Sequence, residues 1–282
     1  MKRAVLENRG LVAIHGADAQ GLLQDVISCG VEDLPDGLAR PGALLTPQGK
    51  IMFDFLVSRD GPDRFLFDLN RDQLDGFVQR MTMYRLRAKA AIEAVDDGVV
   101  LAAWDGESEA GFLVDGRFPQ EANAFRIYGS RQPDDATPDD YDRLRVDFGV
   151  AESGADYALS DVFPHDVLMD LNGGVSFKKG CFVGQEVVSR MQHRGTARRR
   201  VVILSGDVAL PTAVPALTAG GRTIGSVGTV AGNKALSIAR IDRIASALAA
   251  GEPMLIDDTP VTATLPDWTD LSISAAEAAP EG

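Results

Sequence analysis

The 282-residue chain has a formal net charge of −13 and a hydrophobic content of 45%. This length and apolar content suffice for a sizeable buried core, and the acidic balance disfavours nucleic acid and anionic membranes as direct partners. The sequence has no run of roughly 18 apolar residues, and its first residues lack the apolar core of a signal peptide, so we expect a cytoplasmic protein. Its two cysteines, Cys29 and Cys181, exclude a disulfide framework and a paired-cysteine metal signature.

Residues 1–60 predict a strand, a helix and a second strand. The segment "AVLENRGLVAIHG" alternates apolar positions, "GADAQGLLQDVIS" has helical spacing that begins at Asp18, and "KIMFDFLVS" is an apolar, aromatic strand. The Pro and Gly of "LLTPQGK" indicate a turn before that last strand.

Residues 65–130 predict a compact α/β unit. The strand "RFLFDL" precedes the helix "NRDQLDGFVQRMTMYRL", in which Asn70 and Gln73 have capping-box spacing. Four short strands follow in "AKAAIEAV", "VVLAAW", "GFLVDG" and "FRIYG". The Pro- and Asp-rich residues 131–142 are typical of a linker, and "YDRLRVDFGVA" is a helix that Gly149 would end.

From Arg198 onward, short β-prone runs separated by Gly and Pro turns predict a small β-barrel. One helix, "DRIASALAAGEP", lies among these strands. The polar, Ala-rich end of the chain predicts a disordered tail.

The segment "KKGCFVGQE", residues 178–186, carries the strongest local signals for chemistry. Residues 178–200 contain seven basic residues and one acidic residue, a net charge of +6 in a chain whose remainder is about −19. This run is either a solvated face or a rim for a carboxylate or phosphate ligand. Helical spacing after Cys181 puts its thiol at or just before a helix N-terminus, where the helix dipole and the two lysines would favour a thiolate. The alternative is a buried cysteine that acts as a small hydrophobic residue.

The longer segment "LNGGVSFKKGCFVGQEVVSRMQHRG" resembles the signature of the YgfZ family of folate-binding proteins, which are relatives of the aminomethyltransferase T-protein of the glycine cleavage system. The segments "GADAQGLLQDVIS", "GALLTPQGKIMFDFLV" and "RMTMYRLRAKAAIE" resemble family segments in the same order, so the resemblance covers roughly residues 10–245.

The resemblance implies an α+β fold: a three-domain, T-protein-like ring around a central channel, with two α/β units and a C-terminal small β-barrel. It suggests a discontinuous folate-binding domain of residues 1–60 and 135–197, and an inserted α/β domain of residues 61–134. A barrel of residues 198–268 and a disordered tail of residues 269–282 complete this division.

The resemblance also assigns site residues, with tetrahydrofolate or a reduced derivative as the cofactor. Asp147 in "RVDFG" is the candidate anchor for the pterin, although relatives carry a longer glutamate there. Asp54 lies in the strand where T-proteins carry a catalytic carboxylate pair, but its neighbour here is Phe53, so Asp54 either faces a ligand or faces solvent.

The basic segment supplies the remaining site residues. Arg190 and Arg194, four residues apart on one helix, are the expected contacts of the glutamyl tail. The other cofactor-binding residues expected there are Lys178, Lys179, Gln185 and Glu186. Cys181 is the expected functional thiol, and no metal ligand is assigned.

The resemblance implies a tetrahydrofolate-binding protein that supports assembly or repair of iron–sulfur clusters in client enzymes, with only indirect effects on tRNA modification. Two alternatives stay open: a folate-dependent aminomethyltransferase or demethylase, and an adaptor whose basic rim docks an acidic partner. Whether the chain catalyses turnover is left open, because general acid–base work usually needs a second carboxylate beside Asp54.

Overall fold

The computed structural model describes residues 1–212, 214 and 216–273. The chain divides into two compact units. Unit 1 comprises Met1–Tyr141 and Met169–Arg190, and unit 2 comprises Asp142–Leu168 and Met191–Gly282. This division differs from the one suggested by the resemblance, which stays a prediction.

Unit 1 is built on one mixed sheet, which has nine strands among the described residues, in the order β1-β7-β9-β8-β3-β4-β5-β2-β6. The strands are β1 (Lys2–Val5), β2 (Arg9–His15), β3 (Leu38–Leu45), β4 (Ile51–Arg59), β5 (Arg64–Asn70), β6 (Ala91–Val95), β7 (Val99–Trp104), β8 (Leu113–Asp115) and β9 (Phe125–Gly129). Strand β2 pairs with both β5 and β6, so strands from residues 1–60 and 61–134 share this sheet.

Two helices, α1 (Ala19–Val26) and α2 (Leu74–Arg85), supply apolar side chains to the core on one face of the β2–β5 part of the sheet. Three phenylalanines illustrate that core: the ring centroid of Phe67 lies 4.9 Å from that of Phe55 and 5.4 Å from that of Phe77. Burying a phenylalanine side chain contributes about 1.5–3 kcal/mol. Because side chains alternate along a strand, the neighbours of Phe55 and Phe67 point to the opposite face.

Strand β3 was not predicted, because Pro41 and Gly42 interrupt its apolar pattern. Gly42 is required by close packing: a Cβ there would lie 2.6 Å from Cys29 Sγ and 2.8 Å from the Phe55 ring. The predicted N-terminal strand is two strands, β1 and β2, separated by a turn.

Of the polar side chains at the starts of the two predicted helices, one caps its helix and the other does not. Asp18 makes no capping bond to α1; its carboxylate instead accepts a hydrogen bond from the backbone N–H of Lys89 at 2.7 Å. Asn70 does cap, because its side chain accepts from Asp72 N at 3.0 Å at the start of a 3₁₀ turn that leads into α2.

The linker-like segment 131–142 contacts the outer edge of β1. The backbone N–H groups of Asp135 and Ala136 donate to Arg3 O at 3.1 and 3.0 Å. The Asp135 carboxylate in turn accepts from Arg3 N at 2.7 Å.

Unit 2 contains a closed six-stranded barrel in the order β10-β13-β12-β11-β14-β15, which confirms the predicted C-terminal barrel. Its strands are β10 (Arg199–Ser205), β11 (Ala216–Ala219), β12 (Arg222–Ala231), β13 (Lys234–Arg240), β14 (Met254–Ile256) and β15 (Thr259–Thr264). The predicted helix among them is α5 (Ile241–Ala250), which ends at Gly251 in the left-handed conformation. Helices α3 (Pro138–Phe148) and α4 (Gln185–Arg194) complete the described helices.

The predicted tail begins with residues that the structure describes. Thr269 is buried, and its hydroxyl donates to Pro266 O at 2.7 Å. Residues 274–282 of that tail lie outside the described residues. Across the described residues, no helix is both long and apolar enough to span a membrane.

Candidate functional site

The segment that carries "KKGCFVGQE" is an irregular loop fixed to the chain after α1. Ser28 Oγ donates to Gly174 O at 2.6 Å, and Ser176 N donates to Ser28 O at 2.9 Å. The Lys179 ammonium donates to Ile27 O at 2.5 Å and to Cys29 O at 3.0 Å. We call residues 169–184 the motif loop; these bonds give it a defined position within unit 1.

Glycine at position 184 lets the end of the motif loop approach the turn between β3 and β4. Gly184 has φ +78°, and a Cβ there would lie 2.5 Å from Thr46 O. On the turn, a Cβ at Gly49, which has φ +80°, would lie 3.0 Å from the Val187 side chain. Backbone contact and positive φ thus explain the glycine of "GQE".

Cys181 is exposed on this fixed loop. Its neighbours hold the backbone, since Phe182 is buried and the Lys179 ammonium lies 5.1 Å from the centroid of the Phe182 ring. Helix α4 begins at Gln185, so Cys181 lies four residues before it rather than at its N-terminus. The dipole argument for a thiolate is therefore wrong, because the effect of a helix dipole is confined to its first turn.

The other thiol, Cys29, is fully buried. Burial raises its pKa to about 11, outweighing the opposite effects of Lys179 and Arg40. Cys29 is therefore a protonated core residue, and Cys181 is the one cysteine that solvent and a partner can reach.

The two motif lysines differ in the same way. Lys178 is exposed and has no ion-pair partner among the described residues, whereas Lys179 is half-buried and bound to carbonyls. Burial lowers the pKa of Lys179 to about 8. Its ammonium holds the loop and is not free for an anionic ligand.

A cleft of about 480 Å³ lies between the motif loop and the segment before β3. Lys178 and Phe177 line one side of this cleft, and Arg40, which is bound to Asp33 at 2.6 Å, lines the other. Its volume is within the range of small-molecule sites.

Asp54 in β4 is buried, which excludes the solvent-facing alternative. Phe53 and Phe55 both contact Phe77, so Asp54 between them lies on the opposite face of the sheet. Its Oδ1 atom is buried and has no hydrogen-bond partner among the described residues. A buried carboxylate oxygen without a partner is costly, which makes Asp54 a candidate for ligand contact.

The "RVDFG" pattern is largely structural. Arg145 is fully buried and donates to Asp156 Oδ2 at 2.7 Å and to Val150 O at 3.0 Å. Gly149, at φ +70°, packs against Pro266, where a Cβ would come within 2.3 Å. Asp147 is exposed, and its carboxylate pairs with Lys234 Nζ at 2.7 Å.

The basic segment contains both buried and exposed arginines. Arg200 is buried and donates to His165 O at 2.7 Å, and Arg190 pairs with Glu186 at 2.6 Å on the surface of α4. Asp147 and Arg194 belong to unit 2. The expected site residues of unit 1 are Asp54, Lys178, Lys179, Cys181, Gln185, Glu186 and Arg190.

Unit 1 contains a buried cluster that the sequence did not reveal, which we call the arginine network. Its members are Arg9, Asp68, Asp115, Arg117, Arg126, Tyr128 and Tyr141. The sequence pattern that could have revealed this network is a charged residue inside an otherwise apolar strand, as in "RFLFDL" and "FRIYG". No group of three or more His, Cys, Asp or Glu among the described residues is placed to hold a metal ion.

A solved structure identifies the fold. The glycine cleavage system aminomethyltransferase T from Bartonella henselae superposes with a TM-score of 0.70 and 17% identity, over 95% of this chain and 86% of that chain. Residues 198–271 match the family model of the CAF17 C-terminal beta-barrel domain. The protein thus has a T-protein-like fold with a C-terminal barrel, as predicted, and the structure shows that this barrel has six strands.

Curated relatives are named as iron–sulfur cluster assembly factors. The mitochondrial IBA57 homolog of Mycosarcoma maydis is 31% identical over 232 residues, covering 72% of this chain and 57% of the relative. That of Pyricularia oryzae is 28% identical, covering 88% and 74%, and IBA57 of Mus musculus is 27% identical, covering 93% and 84%. The chain is thus similar to IBA57-type factors over most of its length, while the resemblance to YgfZ proteins stays a prediction.

The expected cytoplasmic location is wrong on this comparison. The relatives are named as mitochondrial proteins, which points to mitochondria rather than the cytoplasm. The expectation rested on the absence of a secretory signal, and that absence says nothing about import into an organelle.

Proposed function

We propose that the protein binds a reduced folate and supports assembly or repair of iron–sulfur clusters in client enzymes, with Cys181 as its functional thiol. The observation that carries the proposal is an exposed cysteine on a loop held by buried hydrogen bonds. The similarity to proteins named as iron–sulfur cluster assembly factors supports the process.

Thiol chemistry limits how this role is performed. An iron–sulfur cluster typically takes four cysteine ligands. This chain has two cysteines, and one of them is buried with a raised pKa. A cluster handled by this protein therefore takes most of its ligands from a client or partner, with Cys181 as the contribution from this chain.

The folate part of the proposal is supported by the T-protein-like fold and by features of unit 1. The cleft beside the motif loop offers the Phe177 ring for a planar group, and it offers Lys178, which has no ion-pair partner among the residues the structure describes, for a carboxylate. In this proposal Asp147 is the residue that contacts the pterin, and to do so it must first break its exposed ion pair with Lys234. Breaking that pair costs little, because exposed ion pairs contribute at most about 1 kcal/mol. A bound tetrahydrofolate would supply a carrier for one-carbon units.

A binding titration with tetrahydrofolate and its polyglutamate form tests the folate part. Saturable binding is expected for the unchanged protein and for Cys181→Ser, with loss in Asp147→Ala. Asp139→Ala, an exposed carboxylate on the same helix, is the matched control and should bind as the unchanged protein does. No binding of any reduced folate at micromolar concentration would contradict the proposal and favour the docking adaptor.

Complementation of a deletion strain tests the thiol. Cys181→Ser is expected to lose the iron–sulfur enzyme activity that the unchanged gene restores. The control is Cys29→Ala, which removes the buried thiol and leaves Cys181 in place. Full restoration by Cys181→Ser would rule out a role for this thiol.

The buried Asp54 favours a second candidate, transfer of a one-carbon unit from a substrate amine to tetrahydrofolate. Within the described part of the chain its Oδ1 atom has no hydrogen-bond partner, as expected for a group that meets a ligand. Formation of methylene-tetrahydrofolate from an aminomethyl donor, abolished by Asp54→Asn, is the expected result. Absence of turnover with every plausible donor would exclude this activity.

A further inference from the structure

Unit 2 contains a pocket of about 390 Å³ between α5 and the hairpin that β11 and β12 form. Its floor is apolar and buried, and consists of Ala219, Ile224 and Ala247. Its exposed rim carries three charged residues, which are Arg222, Arg243 and Glu252. The volume is within the range of small-molecule sites, and an apolar floor with a few polar groups around it is typical of such sites.

The charged residues at the two ends of α5 both reach the hairpin. Arg243, in the first turn of α5, donates from Nη1 to Thr223 O at 3.1 Å. Glu252, just after the last turn, is tied to the helix because its backbone N–H donates to Ala247 O at 2.9 Å. Its carboxylate lies over the hairpin turn, since a Cβ at Gly220 would come within 2.6 Å of Glu252 Oε2. The backbones of the arginine and the glutamate are thus roughly 13 Å apart, at 1.5 Å per residue along α5, and the pocket lies between their side chains.

These two charges do not stabilise α5. A helix has a partial positive charge at its N-terminus and a partial negative charge at its C-terminus, so a cation in the first turn and an anion after the last turn are both unfavourable. The neighbouring Asp242 is bound by Arg240 at 2.6 Å. Across the described part of the chain, Arg222, Arg243 and Glu252 have no ion-pair partner. Residues that break a local rule without a local gain are expected at functional sites.

The pocket therefore presents two positive groups and one negative group around an apolar floor. The complementary ligand has two carboxylates and one ammonium group, joined by a short apolar chain. We propose that this pocket binds a free acidic amino acid of the glutamate type. Its carboxylates pair with Arg222 and Arg243, its ammonium group pairs with Glu252, and its methylene groups cover the apolar floor.

Each charge of the rim excludes a class of competing ligand. Glutarate has both carboxylates but no ammonium group, so Glu252 repels it. L-Glutamine has one carboxylate fewer and leaves one arginine without a partner. The amino groups in the glutamyl tail of a folate are acylated, so that tail also lacks the ammonium group. The proposal therefore goes beyond folate binding and does not depend on it.

Titration of the whole protein with L-glutamate, followed by NMR of labelled methyl groups, tests the proposal. Exposed ion pairs contribute little each, so saturation is expected at roughly millimolar concentration. The methyl signals of Ile224 and Ala247 should shift, whereas that of Ile127 in unit 1 should not. Glutarate and L-glutamine should each bind at least about fivefold more weakly. Absence of saturable shifts at Ile224 and Ala247 would overturn the proposal.

Charge substitutions separate recognition from a structural role. Glu252→Gln should weaken L-glutamate binding about fivefold and strengthen glutarate binding, because it removes the attraction for the ammonium group and the repulsion of the dicarboxylate. Arg222→Gln should weaken the binding of both ligands. Arg87→Gln, which changes an exposed arginine of unit 1, is the matched control and should affect neither.

Two results with these variants would contradict the proposal. If both ligands responded equally to Glu252→Gln, that residue would not recognise an ammonium group. If L-glutamate binding were lost in Lys178→Gln and kept in Arg222→Gln, the ligand would occupy the cleft beside the motif loop and not this pocket.

Discussion

The two cysteine-bearing segments of unit 1 contact each other and have opposite properties. Residues 27–30 are all buried, and the Cys29 thiol lies in the core beside Gly42 and Phe55. Cys181 is exposed, although Lys179 and Phe182 beside it are held in place.

The comparison teaches how an exposed thiol can be held on a loop whose backbone is anchored by its neighbours. The buried segment supplies the acceptors Ile27 O and Cys29 O, and the motif loop supplies the Lys179 ammonium that binds them. Rigid support of an exposed group lowers the entropy lost when a partner binds. Changes to either side of this contact therefore test the comparison.

The largest expected difference is in thiol reactivity. With an aromatic disulfide reagent, Cys181 should react in the native protein, while Cys29 should react only after unfolding. The native reaction of Cys29 should therefore be slower than that of Cys181 by a factor of at least about 10³. In Cys181→Ser the fast phase should be absent, and in denaturant both thiols should react alike. A fast native phase that survives in Cys181→Ser would contradict the assigned exposures.

Replacing Gly184 should damage the support of the motif loop. Gly184→Ala places a Cβ against Thr46 O at a positive φ, and we expect a loss of about 1–3 kcal/mol in the free energy of unfolding. Gly180→Ala is the matched control, because nothing lies within 4 Å of its Cβ position, and it should change stability by less than about 0.5 kcal/mol. Equal effects in denaturant unfolding would be contrary evidence.

The two lysines should separate in the same assay. Lys179→Met leaves two buried carbonyls without this donor, and we expect a loss of about 1–3 kcal/mol. Lys178→Met removes an exposed ammonium and should change stability by less than about 0.5 kcal/mol. A larger loss in Lys178→Met than in Lys179→Met would reverse the assignment.

The stability difference between the unchanged protein and Lys179→Met should depend on pH. Burial lowers the pKa of Lys179 from 10.5 to about 8, so the unfolded state binds more protons between those values. The unchanged protein should therefore gain stability relative to the variant as pH rises through that window. Cys29, with its pKa raised from 9.0 to about 11, acts in the opposite direction above pH 9 and is present in both proteins. A constant difference would contradict the shift in Lys179.

The smallest effect is expected on the exposed side of the motif. Glu186→Gln breaks the pair with Arg190, but both side chains are mostly exposed, so stability should change by less than about 0.5 kcal/mol. A loss above 1 kcal/mol, measured at moderate salt, would mean that the start of α4 is not a solvated face.

The sequence predicted those parts of the fold that depend on local pattern. The short β-prone runs after Arg198 form the barrel. The helix predicted before Gly251 is α5. Strand β3 was missed because Pro41 and Gly42 interrupt its apolar pattern, and Gly42 is required by a contact with Cys29 that lies outside the strand. Spacing alone does not reveal such long-range packing.

The candidate site could be predicted only in part, because some of its contacts also join residues that are far apart in the sequence. An unusual cysteine motif marked the motif loop, but whether a lysine binds a ligand or a backbone carbonyl depends on a partner 150 residues away, as Lys179 shows. The arginine network was missed because its charged residues come from segments far apart in the sequence and meet only in the folded chain. The start of α4 was placed too early because the turn at Gly184 has apolar neighbours that mimic helical spacing.

The contact of Asp135 and Ala136 with Arg3 has a consequence for solubility. A closed barrel offers no open strand, but the sheet of unit 1 ends at β1 and β6, and open edges recruit strands from other molecules. On β1 the carbonyl and N–H of Arg3 are already occupied. On β6 the exposed Glu93 and the following Asp96 and Asp97 place charge at the edge. The segment that looked like a linker therefore shields this protein from aggregation by strand addition.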